Sequence, residues 1–235
     1  MGYRLSYPDE KLFTFYLDEF ETKLFDLPEG VYTCLIENED CEEQILTPGM
    51  DDEIFSRTKV PMTKNEVRVL SISRLELTKK AVVYDVGSGT GSVSVECARL
   101  SPDIVVFAIE QKEEAANLTK ENAARLGLSD QIVVINKKAP EGFEELPTPT
   151  HVFIGGSSGA LSDILSAIQK KKLIVKENTK GVRVVINAVS LETIAQITKL
   201  IQTYPVKHVQ LTQIQASRAH KLGSYNLMQA QNPVL

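Results

Sequence analysis

From residue 81 onward, short runs of apolar, mostly β-branched residues alternate with segments whose apolar residues recur every third or fourth position. The runs are 81–86 (AVVYDV), 104–110 (IVVFAIE), 131–135 (QIVVI), 151–154 (HVFI) and 182–189 (VRVVINAV). The intervening periodicity is that of amphipathic helices and predicts them over 91–100, 112–126, 160–170 and 191–203. Strands that are apolar along their whole length predict a sheet covered on both faces, hence parallel and flanked by helices. After Pro205, residues 206–216 (VKHVQLTQIQA) alternate cleanly, and 225–234 (YNLMQAQNPV) form a last strand. No helix separates these two, so they predict an antiparallel pair. The pattern predicts an α/β fold, doubly wound around a mostly parallel seven-stranded sheet whose last strand is antiparallel.

The first part of the chain reads differently. Apolar spacings of three and four predict a helix over 8–25, ended by Pro28 and Gly30, and VYTCLI at 31–36 reads as a short strand. The acidic stretch that follows marks 37–58 as a surface loop or linker. Thr63 and Glu66 have the spacing of a capping box, which predicts a helix over 63–77. The expected division is an acidic N-terminal extension, 1–58, and a main domain, 59–235.

Composition adds three constraints. No apolar run in the 235 residues approaches the ~18–20 needed to span a membrane, and MGYRLSYPDE lacks a signal-peptide core, so no membrane partner and a cytoplasmic location are expected. Cys34, Cys41 and Cys97 lack metal-ligand spacing and His151, His208 and His220 are scattered, so no metal site is expected. The net charge of −5 conceals an asymmetry: residues 1–55 carry 15 acidic and 3 basic side chains, the remainder 16 and 23. A mildly basic main domain suits an anionic substrate, polycarboxylate or nucleic acid, and equally an ordinary solvated surface.

The candidate chemistry lies at Asp85-Val86-Gly87-Ser88-Gly89-Thr90-Gly91, where the first parallel strand turns into a helix. Ligands of doubly wound folds bind at such strand ends. The dinucleotide fingerprint needs a glycine where Ser92 stands, and a carboxylate at Asp85 would repel pyrophosphate. A ligand with an ammonium and a carboxylate on one carbon answers both features, its carboxylate meeting loop amides and its ammonium lying near Asp85. That describes the methionine end of S-adenosyl-L-methionine. A tight turn without a ligand is the other reading of the glycines. Glu110, at the end of the second strand, can accept from both ribose hydroxyls and fits a nicotinamide dinucleotide equally well. Asn136, Lys137, Lys138, Ala139 and Pro140 are expected beside the adenine, with no Asp to take its amino group. Gly155-Gly156-Ser157-Ser158-Gly159 is expected near the transferred methyl.

Beyond these, Pro61-Met62-Thr63-Lys64-x-Glu66-Val67-Arg68, the glycine loop, Ala139-Pro140, Phe153-Ile154-Gly155-Gly156-Ser157, Asn187-Ala188-Val189-x-Leu191-Glu192-Thr193 and Asn232-Pro233-Val234 occur in order. Across residues 52–235 the set resembles the cobalt-precorrin carbon-15 methyltransferase and decarboxylase family of corrin biosynthesis. The resemblance implies that 59–235 is a methyltransferase domain using S-adenosyl-L-methionine. It implies an anionic tetrapyrrole substrate, (cobalt-)precorrin-6B, methylated at carbon 15 and decarboxylated at the carbon-12 acetate, and a homotetramer; the acidic N-terminal segment, in place of a basic arm, argues against a nucleic-acid partner. It places the cofactor at Thr63, Gly87, Ser88, Gly89, Thr90, Gly91, Glu110 and Ala139. No catalytic acid or base is marked. Lys137 and Lys138 stand where relatives often have glycine and an acid. Lys138 and Arg218 are candidates to clamp substrate carboxylates. The first 50 residues lie outside the resemblance, although 24–38 are loosely similar to the end of a carbon-5 methyltransferase to which such domains are fused. The chain ends soon after Asn-Pro-Val, so a short last strand is expected. An RNA or other small-molecule methyltransferase shares the cofactor loop. A scaffold that keeps the fold without activity is a further reading, against which the intact loop and Glu110 argue.

Overall fold

A computed structural model of the chain describes residues 2–3, 11–27, 32–33, 35, 45–174, 181–231 and 234–235. It divides into two compact units, Met1–Ile45 and Leu46–Leu235. In the first, β1 (Gly2–Tyr3) pairs antiparallel with β2 (Lys11–Leu12) and β3 (Tyr32–Thr33). The single α-helical turn α1 (Phe20–Lys23) lies between 3-10 turns at Leu17–Glu19 and Leu24–Asp26. The helix expected over 8–25 is therefore confined to its second half. No residue of α1 is buried, and without a face to cover the apolar spacing cannot propagate a longer helix. The expected strand 31–36 is represented by β3. Cys34, Cys41, most of the acidic stretch, and Asn232-Pro233 lie outside the described residues.

The second unit opens with α2 (Asn65–Leu75) and proceeds through β4 (Val82–Val86), α3 (Ser92–Ala98), β5 (Val105–Ile109), α4 (Glu113–Arg125) and β6 (Ile132–Ile135). It continues with β7 (His151–Ile154), α5 (Leu161–Ile174), β8 (Arg183–Ile186) and α6 (Leu191–Thr203). The five strands are all parallel, in the order β6-β5-β4-β7-β8. They correspond to the five apolar runs. One face buries Val83, Val106, Ala108 and Phe153 under Ile72 and Leu75 of α2 and Val95 of α3. The other buries Tyr84, Phe107, Val152 and Ile154 under Leu161, Ile164 and Ile168 of α5. Sequence order reverses at β4, which places a crevice at its carboxyl end.

The last antiparallel pair forms, but later in the chain and apart from the sheet: β9 (Ser217–Leu222) pairs with β10 (Tyr225–Ala230). Of the alternating segment 206–216, only Ile214 makes a bridge, to Val234. The alternation lacks a buried face to favour a ladder there, and most of the segment is exposed. No helix among the described residues is long and apolar enough to cross a membrane.

Two local expectations give way to long-range electrostatics. Residues 46–58 are part of the compact unit rather than a linker, with Asp52 and Phe55 buried. Thr63 does not cap α2: the helix starts at Asn65, whose amide donates to Asp52 Oδ1 at 3.1 Å. Glu66, instead of reaching back to the threonine, is clasped by Arg218 of β9 through two 2.7 Å bonds. A carboxylate that finds a guanidinium gains more than one that finds a neutral amide.

Behind these contacts lies Arg68, fully buried on α2. Its guanidinium lies 3.1 Å from both Asp52 and Glu96, donates to the carbonyls of Thr63 (2.7 Å) and Met50, and stacks 4.9 Å from the Phe55 ring centroid. Glu96, on α3, also accepts from the amides of Gly49 (3.0 Å) and Met50 (2.8 Å). Removing one partner of such a network leaves uncompensated charge in the interior. Replacement of Arg68 by Met is expected to destabilise the fold by about 3–5 kcal/mol, measured by urea unfolding followed by circular dichroism. A loss no larger than that of an ordinary surface substitution rules the network out as a main support.

Candidate active site

The turn from β4 to α3 holds Gly87, Gly89 and Gly91 at φ of 73°, 59° and 75°. That left-handed region favours glycine. Space demands glycine as well: a Cβ on Gly87 would lie 2.6 Å from the Gly156 carbonyl oxygen, and one on Gly89 2.7 Å from that of Pro61. Backbone from three parts of the chain meets here, enclosing a cleft of about 430 Å³. Its walls are the segment Lys59–Pro61, the glycine loop, the end of β5 with Glu110 to Lys112, Lys137 to Ala139, and Gly155 to Ser158.

Of the residues that the resemblance assigns to the cofactor, Gly87, Gly89, Glu110 and Ala139 line this cleft, together with Lys137, Lys138 and Gly155 to Ser158. The other cofactor residues stand behind it. Ser88 directs its hydroxyl to within 3.3 Å of Thr119 Oγ1, Thr90 is fully buried, and Gly91 packs directly on Thr119. Thr63, outside the cleft lining, contributes its carbonyl to Arg68. Asp85 is fully buried: one carboxylate oxygen accepts from Ser94 Oγ at 2.5 Å and the other has no partner among the described residues. Burial pushes its pKa up from 3.8 to about 6, helped by the charge of Glu110 and opposed by the Ser94 hydrogen bond.

The expectation that loop amides meet a ligand carboxylate requires correction. The Gly87 and Ser88 amides donate to the Ile109 carbonyl at 2.8 and 3.4 Å, and the Gly89 amide to Glu110 Oε2 at 3.1 Å. The other Glu110 oxygen accepts from Lys112 N at 3.0 Å. Helix α3 is only seven residues long and wholly buried, so its first turn is not an open anion site. The cleft therefore presents acceptors. The Gly87 carbonyl makes no hydrogen bond among the described residues, and each Glu110 oxygen retains a free lone pair. Such a floor suits an ammonium or sulfonium and a ribose diol, with Val86, Ile109 and Ala139 offering apolar surface for an adenine. It suits a pyrophosphate poorly.

Four lysines, Lys59, Lys112, Lys137 and Lys138, line the same cleft. Lys137 lies 3.8 Å from Glu145. Arg218 is not available as a substrate clamp, because Glu66 and Asp52 occupy its guanidinium. The Lys59–Pro61 wall was hidden from sequence reading, since it precedes the glycine loop by a whole helix and a strand. Pro61, in the PMTK motif, was its only signal.

The sheet order, the glycine loop at the reversal point and the strand-end acid are those of the class I methyltransferase fold, the fold of S-adenosylmethionine-dependent methyltransferases. Residues 53–235 match the family model described as a precorrin methyltransferase domain. The chain belongs to this family. A protein of Pyrobaculum calidifontis named "Probable cobalt-precorrin-6B C(15)-methyltransferase (decarboxylating)" is 40% identical over 190 residues, covering 80% of this chain and 93% of the relative. A precorrin-6y C5,15-methyltransferase structure from Geobacter metallireducens superposes with a TM-score of 0.71 at 30% identity, covering 80% of this chain and 93% of that one. The precorrin 8W decarboxylase structure from Methanobacterium thermoautotrophicum gives 0.70 at 31% identity, covering 79% and 96%.

The Asp85 environment has a pH signature. Its folded pKa lies above the unfolded value, so its stabilising contribution is complete below about pH 4 and is lost as pH rises through about 6. An Asp85→Asn variant escapes this loss. Its stability relative to the parent protein should rise by about 2 kcal/mol between pH 4 and pH 7, read from denaturant midpoints. A difference that stays flat with pH contradicts the buried, raised carboxyl.

Proposed function

We propose that this protein is an S-adenosyl-L-methionine-dependent methyltransferase of cobalamin biosynthesis. In this reading it methylates carbon 15 of (cobalt-)precorrin-6B and removes carbon dioxide from the carbon-12 acetate. The observation that carries the reading is the acceptor floor at the sheet's reversal point, bordered by lysines. Family membership and the names of the relatives support the tetrapyrrole.

When bound, S-adenosylmethionine supplies a methyl group already activated by its sulfonium. The chain's own residues then have chiefly to bind and orient. Glu110 holds the ribose hydroxyls, and its existing bonds to Gly89 and Lys112 fix the carboxylate in advance. The Gly87 carbonyl accepts from the ammonium. Ala139, Val86 and Ile109 flank the adenine. Asp85, Ser88, Thr90 and Gly91 act from behind, shaping the loop, and Thr63 fixes Arg68 beneath the Pro61 wall. Lys59, Lys137 and Lys138 meet the acetate and propionate carboxylates of the substrate, a distribution of charge that also steers an anion to the cleft.

We also assign a homotetramer in the cytoplasm. Every residue of β10 is exposed, including Tyr225, Leu227 and Met228, and five of the six in β9. A hairpin bare on both sides is marginal by itself, which favours a further copy of the chain against it. Light scattering of the full chain should give four times the monomer mass, and a monomer mass overturns the assignment.

The activity is tested by incubating the protein with S-adenosylmethionine and cobalt-precorrin-6B and weighing the product by mass spectrometry. The expected product has gained one methyl and lost carbon dioxide. Changing Lys59 and Lys138 together to Ala should raise KM for the tetrapyrrole on the order of tenfold without altering cofactor affinity. An unchanged substrate mass, with cofactor binding intact, overturns the tetrapyrrole reading.

A further inference from the structure

Helix α4 presents two fully buried polar side chains, Thr119 and Asn122, to the back of the glycine loop. They are three positions apart and so share one face of the helix. Thr119 Oγ1 donates to the Gly89 carbonyl at 3.1 Å. Asn122 Nδ2 donates to the Thr90 carbonyl at 2.9 Å and to the Ser56 carbonyl at 3.0 Å, while its Oδ1 accepts from the Ser56 amide at 2.7 Å. A Cβ on Gly91 would come within 2.7 Å of Thr119 Cγ2, so the loop rests on the helix without a gap.

We infer that Thr119 and Asn122 are positioning residues for the cofactor cleft, fixing its two walls in register through α4. The inference rests on the cofactor reading above. The loop amides from Gly87 to Gly89 are tied to the end of β5, and the carbonyls of Gly89 and Thr90 are tied to α4. With both sets of dipoles anchored, Gly87 has the one carbonyl of the loop without a partner among the described residues. Loss of the Thr119 hydroxyl leaves the Gly89 carbonyl buried without a partner, free to turn toward water in the cleft. Asn122 has a second task. Ser56 lies just ahead of Lys59–Pro61, the wall that Gly89 touches, so one amide group joins that wall to the loop. Two consecutive loop carbonyls and a distant segment converge on a single helix turn, so one element fixes the loop and the facing wall together.

The test compares Thr119→Val, which keeps shape and removes the hydroxyl, with Thr119→Ser, which keeps the hydroxyl, and adds Asn122→Ala, all in the full chain. Calorimetric titration with S-adenosylmethionine should show a Kd raised about tenfold in Thr119→Val and near the parent value in Thr119→Ser, with kcat at saturating cofactor preserved in both. Asn122→Ala should weaken the cofactor and also raise KM for the tetrapyrrole, because it frees the Lys59–Pro61 wall. Hydrogen exchange at residues 87–91 should quicken in Thr119→Val and not in Thr119→Ser, a readout independent of any ligand. If Thr119→Val is merely less stable, with parent-like Kd and loop exchange, the positioning role is overturned. If loop exchange responds as expected but even the parent binds no S-adenosylmethionine, the positioning of the loop stands and the cofactor reading fails.

Discussion

A single guanidinium buried between two carboxylates organises the entrance half of the main unit. Arg68 cannot leave the interior without stranding Asp52 and Glu96, and these in turn hold the amides of Gly49, Met50 and Asn65. The segment from Thr47 to Lys64 has little regular structure of its own and follows the ion network onto α3. Because that segment becomes one wall of the cleft, the charge network and the cleft geometry are one constraint. An apolar core could have supplied comparable stability. What the ions add here is direction, because a guanidinium has fixed donor angles and holds each partner in one place.

The polarity of the cleft follows from a competition for hydrogen bonds. The end of β5 takes the amide donors of Gly87, Ser88 and Gly89, and Ser88 takes that of Gly91. The Ile109 carbonyl accepts at 2.8 and 3.4 Å and the Glu110 side chain at 3.1 Å. What the loop and Glu110 leave facing the crevice is oxygen: the Gly87 carbonyl and the Glu110 carboxylate. A site built this way favours a cation on its floor while lysines at the walls favour anions, so opposite charges on two reactants can be held side by side.

The parallel strands were legible because burial on both faces makes them mostly apolar, with Asp85 and His151 as buried polar exceptions, and all five runs became strands. The glycine spacing was legible because this turn needs left-handed backbone at Gly87, Gly89 and Gly91, and Glu110 because it follows directly on a strand end. The misreadings share a cause. Thr63 and Glu66 satisfy a local rule, yet the partners that prevail come from Asp52 and from Arg218, far along the chain. The stretch 46–58 looked like a linker because its acids suggested solvent, but one of those acids is the buried Asp52. Thr119 and Asn122 carry no sequence signal, since a threonine and an asparagine on an amphipathic helix are unremarkable until the loop they face is known. Local pattern reports burial well and reports the choice among polar partners poorly, because that choice is settled by distance in three dimensions.

The crowding of backbone at Gly87 and Gly89 limits how this cleft can diverge. The Gly156 and Pro61 carbonyl oxygens stand where any larger residue would begin, so the glycine part of the floor has no side chains to exchange. Variation in what the cleft accepts is left to the periphery, at Lys59, Lys137 and Lys138, where substitution meets solvent rather than main chain. Such a molecule can change its clientele while its floor stays constant, and an engineer seeking a new acceptor would do well to begin at the rim.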